Sequence, residues 1–153
     1  MKRIDNLKSR MDECIWDVDA SIQSVLSNYL VLAGAGLIEN GLNHVLSEYG
    51  RRVGDVRIRR YVARTVSRHN SLNCKKIKDI LEQFDPEWWR QIENNLSPAD
   101  LEAVDSLKTL RDQIAHGRPN GTGFRTVEQY YSSAKRVISE ISSVILSEEH
   151  AWD

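Results

Sequence analysis

The residues best placed to do chemistry lie in one stretch, Leu110-Arg111-Asp112-Gln113-Ile114-Ala115-His116-Gly117. An arginine is always cationic and offers a planar fork of donors that fits a phosphate or a carboxylate. A histidine titrates near pH 6.5, roughly where proton transfer is useful, and the negative end of a helix dipole favours its protonated form. With Arg111 at zero on a wheel of 100° per residue, Leu101, Ala103, Val104, Leu107, Leu110, Ile114 and Ala115 fall between about −100° and +80°. Arg111 is therefore expected near the middle of an apolar stripe, where a guanidinium needs a cleft or an ion partner such as Asp112 or Glu39. On a regular helix His116 would point about 140° away from Arg111, but the stop at Gly117 leaves that angle open. The same residues also have a plain structural reading, Arg111 as an ion-pair residue and His116 as a C-cap.

A second feature is electrostatic. The chain has 21 Lys+Arg and 22 Asp+Glu, a net charge of −1, but the charge is unevenly spread. Residues 1–50 carry net −3, residues 51–78 carry 10 basic groups and one acid, and residues 79–153 carry net −7. A +9 segment in a neutral chain is a footprint for a polyanion, since clustered Lys and Arg displace counterions from phosphates. Arg57, Arg60, Arg64, Arg68, Lys75 and Lys76 are the residues expected to hold such a backbone. The competing reading is a solvated helix face paired with the chain's own acids.

Other chemistries find little support. Cys14 and Cys74 form no CxxC pair and read as buried or idle thiols. His44, His69, His116 and His150 show no HxxxH or HExxH spacing, so no metal site and no cofactor is expected. Gly34, Gly36 and Gly41 lack the following Gly-Lys-Ser/Thr of a phosphate loop. The longest apolar run, Tyr29 to Ile38, is well short of the roughly 20 residues of a membrane span, and the polar start lacks a secretory signal. A cytoplasmic protein with no membrane partner is expected. With 153 residues, 41% hydrophobic and 28% charged, the chain reads as a single globular domain over 1–153, neither disordered nor low-complexity.

The elements that must position these residues are helices, since apolar residues recur at three- and four-residue steps with no strand-like alternation. A weak stripe through Ile4, Leu7, Met11 and Ile15 suggests a helix over 2–19. A long second helix over 21–50 follows Leu26, Leu30, Ala33, Leu37, Gly41 and Val45, and its Ala33-Gly34-Ala35-Gly36 stretch allows a neighbour to approach closely. The basic helix over 54–69 sets Ile58, Val62 and Val66 opposite Arg57, Arg60, Arg64 and Arg68. A shorter helix is expected near 73–84, then a break at Asp85-Pro86 and one or two turns through Trp88 and Trp89, which read as core. Ser97 and Pro98 open a helix to Ala115, stopped by Gly117 and Pro119. A long C-terminal helix is expected to open with a capping box at Thr126 and Gln129. The expected fold is an all-α, compact bundle of five to six helices.

The 110–117 stretch resembles the signature of the HEPN superfamily, an Arg followed a few residues later by a His, often with a polar residue right after the Arg. The gap here is four, Asp112 holds the polar position, and Leu30 to Tyr49 with Glu39 is similar to the RiboL-PSP-HEPN branch. A tyrosine that follows the His in some HEPN toxins is absent, because Gly117-Arg118-Pro119 stands there. The resemblance implies a metal-independent endoribonuclease, commonly a toxin or antiviral effector, acting as a homodimer with a composite cleft. Arg111, His116 and Asp112 would be its catalytic residues, and the products would be 2′,3′-cyclic phosphate and 5′-hydroxyl ends. RNA and an antitoxin or regulatory protein are the implied partners. Many HEPN proteins instead serve as binding or assembly modules, so a non-catalytic module that binds RNA or a partner protein is the alternative expectation. A small adaptor subunit whose basic helix docks on an acidic protein is a third.

Overall fold

A computed structural model of the chain describes residues 19–147 together with Asn6, Ser9 and Arg10. Beyond those three residues, the helix expected over 2–19 with its Ile4, Leu7, Met11 and Ile15 stripe lies outside the described residues, as do Cys14 and His150. Six helices follow in order: α1 (Ala20–Val53), α2 (Val56–Val66), α3 (Cys74–Leu81), α4 (Pro86–Asn95), α5 (Pro98–Ala115) and α6 (Phe124–Leu146). The fold is all-α, with no strand among the described residues and with long helices at α1 and α6.

One apolar cluster threads all six helices, from Leu30, Ile38 and Leu46 of α1 through Val62, Ile77, Ile92 and Leu107 to Val137 and Ile141 of α6. The long helices α1 and α6 pack most extensively on each other, α5 lies against both, and α2 rests on α1. The missing side chains of two α1 glycines permit this closeness. A Cβ on Gly34 would sit 3.0 Å from a Leu107 methyl, and one on Gly41 would sit 2.7 Å from Cγ2 of Ile138. By length and composition α1 could cross a membrane, contrary to the expectation that no segment approaches a span. Its contacts with α2, α5 and α6 show it here as the central helix of the bundle.

Two helix starts differ from expectation. Asp85-Pro86 does not only break the chain: Asp85 accepts from the Glu87 N–H and Pro86 takes the first turn, so ten residues form α4 where one or two turns were expected. Trp88 and Trp89 are buried, as their core reading required. The C-terminal helix begins at Phe124 with Gly123 as its cap and no side-chain cap bond, so Thr126 and Gln129 lie inside α6 and form no capping box.

The Ser97 start behaves as expected and fixes α5 against α6. Ser97 Oγ accepts from the Asp100 N–H at 3.2 Å and donates to Asp100 Oδ2 at 2.7 Å, while Arg136 of α6 donates to Asp100 Oδ1 through Nε and Nη2. Burial alone would raise the Asp100 carboxyl, but hydrogen bonds from Arg136, Ser97 and Ser133 outweigh it and bring its pKa down from 3.8 to about 2. A lowered carboxylate pKa stabilises the fold above its unfolded value and loses that contribution as pH falls through the folded value. Because Arg136 is half exposed, the contribution is about 1–2 kcal/mol. The urea midpoint should therefore decline between about pH 4 and pH 2, and Asp100→Asn should remove this part of the decline while lowering the midpoint at pH 7.

Candidate functional site

The site is built around the C-terminal end of α5. Ala103, Val104, Leu107 and Leu110 are buried, but the last turn projects beyond the core, leaving Ile114 half-buried and Ala115 and His116 exposed. Arg111 keeps its azimuth on the apolar stripe but stands where that stripe leaves the core, with its side chain 37% exposed. The helix ends in a Schellman turn: Arg118 N–H donates to Gln113 O, Gly117 N–H donates to Ile114 O, and Gly117 has φ +66°. The His116 N–H donates to Asp112 O and Gln113 O, so the structural C-cap reading of this residue holds. Its imidazole stands in solvent and makes no hydrogen bond among the described residues. His116 lies one residue past the last helical residue, at φ −94° and ψ 12°, so the regular-helix angle to Arg111 does not carry over to it.

Of the two carboxylates expected to face Arg111, Asp112 is the one in contact, accepting from Nη1 at 3.3 Å. Lys108 Nζ lies 2.8 Å from Asp112 Oδ2, one helical turn back. Hydrogen bonding from Lys108, reinforced by its charge and by bonds from Arg111 and Ser71, outweighs desolvation and holds the Asp112 carboxyl below its ordinary value. Arg111 makes no other hydrogen bond among the described residues, so most of its five N–H donors remain available.

Glu39 joins the site indirectly. Its Oε1 accepts from the Ser71 N–H at 2.6 Å, and the Ser71 hydroxyl donates to Asp112 Oδ1 at 3.2 Å. Ser71 thus ties α1 to α5, and it does so at φ +50°, a left-handed conformation that costs an ordinary side chain roughly 1–2 kcal/mol. Lys76 completes the tie by donating from Nζ to Ser71 O at 3.1 Å. On the other side of the helix end, Asn120 Nδ2 donates to Asn28 Oδ1 of α1 at 3.1 Å. The α1 segment from Asn28 to Glu39, about 16 Å long, therefore underlies the whole region.

The basic segment divides by role. Arg51 and Arg52 bind Glu48, Arg52 also donates to Leu146 O at the end of α6, and Lys78 pairs with Glu82. These residues fit the structural reading. Arg57, Arg60, Arg64, Arg68 and Lys75 are exposed, as is Arg59, and none of the six forms an ion pair among the described residues. Among the described residues, internal neutralisation therefore does not account for them. Arg68 lies just beyond the end of α2, three residues from Ser71, hence within about 11 Å of it. With Lys76, His69 and Asn70 it lines a groove of about 260 Å³. The structure so brings Arg68 and Lys76 to the loop that touches Asp112, while Arg57 lies at the far end of α2.

A larger groove of about 640 Å³ between α1 and α6, lined by Leu37, His44, Lys135 and Ile138 among others, includes Arg52 but not Arg111, Asp112, His116 or the exposed basic residues from Arg57 to Lys76. Cys74 is half-buried, its Sγ donates to Leu101 O, and burial with the nearby Asp105 charge pushes the thiol up to about 12, so it is an idle thiol. Among the described residues no three His, Cys, Asp or Glu side chains converge as a metal cluster would.

With this geometry in place, comparison with known families is informative: a family model described as RiboL-PSP-HEPN matches residues 2–147. The chain belongs to the RiboL-PSP-HEPN family. Searches of curated proteins and of solved structures give no significant match. In this HEPN domain the match spans α1 to α6 and so contains the Glu39, Ser71, Asp112 and Arg111 chain. Ser71 and Lys108 were not singled out by spacing. Lys108 could have been found from its four-residue step to Asp112, whereas Ser71 carries only the weak signal of a polar linker, His69-Asn70-Ser71.

Proposed function

We propose that this HEPN domain is an endoribonuclease whose site is completed by a second copy of the chain. The observation that carries the reading is the open Arg111 guanidinium, held by one carboxylate that is itself tied through Ser71 to a basic segment whose residues from Arg57 to Lys75 form no ion pair among the described residues. The reaction needs a base to take the proton from an RNA 2′-OH. That oxygen then attacks its own phosphorus, and an acid protonates the departing 5′ oxygen. A cation must stabilise the phosphorane on the way. Arg111 would hold the phosphate through its fork, Asp112 would orient the guanidinium, and His116 of two protomers would share the acid and base work.

One feature favours completion by a second copy: the first half of α1 exposes an apolar stripe of Ile22, Val25, Tyr29 and Leu32, next to the Asn28 contact with the loop after His116. The proposed setting is a bacterial toxin or antiviral system in the cytoplasm, with an antitoxin or assembly step restraining an otherwise harmful activity. The second reading, an RNA-binding HEPN module without catalysis, would use the same basic segment.

The test is cleavage of mixed cellular RNA in EDTA by wild type and by Arg111→Ala, with product ends analysed. Wild-type cutting to cyclic-phosphate ends, reduced at least about 100-fold in Arg111→Ala, supports the proposal. A folded wild-type dimer that binds RNA and never cuts it favours the binding module.

A further inference from the structure

The helix α2 has two faces. Val62 and Val66 are buried against the bundle. Taking Arg57 as zero at 100° per residue, Arg60, Arg64 and Tyr61 fall at about −60°, −20° and +40°, turned away from those valines. Tyr61 is 72% exposed, the most exposed of the large hydrophobic side chains described, and forms no hydrogen bond or ring contact among the described residues. A flat amphipathic ring is thus held in solvent between three cations, over about 10 Å of helix.

We propose that α2 recognises unpaired RNA, with one base stacked on the Tyr61 ring and the flanking phosphates held by Arg57, Arg60 and Arg64. The inference rests on the RNA-directed reading above and narrows it to a substrate class. The arginines alone would suit any polyanion, because phosphate contacts carry no information about strandedness. The ring adds the discrimination. Bases in a duplex are already stacked and show only their edges, whereas an unpaired base offers a free π-face. An acidic protein surface would neutralise the arginines but would leave the ring without a flat partner. The end of α2 leads through Arg68 to the Ser71 tie, so a strand lying along this face runs toward Arg111.

The experiment measures fluorescence anisotropy on the full chain with three probes: an unpaired 12-mer RNA made non-cleavable by 2′-O-methylation, an equally modified 12-base-pair duplex, and polyglutamate. Tyr61→Ala should weaken binding of the unpaired RNA by roughly 5- to 100-fold, with Tyr61→Phe within about twofold of wild type. The duplex affinity should be unchanged by Tyr61→Ala. Arg60→Ala should lower the salt slope by about one, and Tyr61→Ala should leave that slope as it is. If Arg60→Ala weakens RNA binding and Tyr61→Ala does not, the stacking inference is overturned while the RNA-directed reading stands. If folded wild type binds polyglutamate as tightly as RNA, or binds no RNA at low salt, both fall.

Discussion

His116→Ala is expected to slow RNA cleavage by about 10²- to 10⁴-fold, the usual worth of a positioned acid or base, while leaving the helix end as it is. The two roles of this residue are separable because they belong to different atoms. Its backbone N–H closes the last turn of α5, and alanine keeps that N–H; its imidazole is exposed and makes no hydrogen bond among the described residues, so its removal opens no core cavity. Circular dichroism and the dimer fraction should match wild type within error. If two imidazoles divide acid and base work, the wild-type rate should be bell-shaped in pH. Equal cleavage by His116→Ala and wild type would place the chemistry at another site.

Trp88→Ala should produce the largest loss of stability, about 3–5 kcal/mol. Trp88 is 1% exposed and meets the Tyr49 ring edge-on at 4.8 Å, while Phe84 stacks on it at 5.9 Å. Deleting the indole removes its buried area and leaves a cavity between α4 and α1 that the short α4 cannot fully close. For a chain of this size the melting temperature should drop by roughly 6–20 °C, read by thermal unfolding at 222 nm. A drop under 3 °C would mean that the aromatic cluster is not part of the cooperative core. RNA binding measured well below the melting point should persist, since α2 and α5 do not depend on this contact.

The sequence revealed the helices better than it revealed what lies between them. The Pro98–Ala115 helix was readable at both ends, because Ser97, Pro98 and Gly117 each act locally, through a cap, a fixed φ and a positive φ. The same logic was available at Asp85-Pro86 but was read there as a break, and α4 was missed in part for that reason. The position of Arg111 was only half legible. Periodicity gives an azimuth along one helix, but it cannot tell that the last turn of α5 is only partly covered, which depends on how its neighbours pack. The Ser71 tie was illegible, since its partners stand 32 and 41 residues away. The fate of the ten basic residues was equally hidden, because composition cannot distinguish Arg52, clamped on the end of α6, from the exposed Arg57.

The Ser71 tie also has a temporal meaning. Ser71 can grip Glu39 as soon as both have been synthesised, but Asp112 comes 41 residues later. Contacts so distant along the chain form only after the intervening segment has been ordered, and they are slow to nucleate. During synthesis the basic helix is therefore exposed well before the arginine of the motif exists, and the His116 end of α5 is finished later still. On the function proposed above, a ribosome-bound intermediate would hold RNA before it had the parts to cut it.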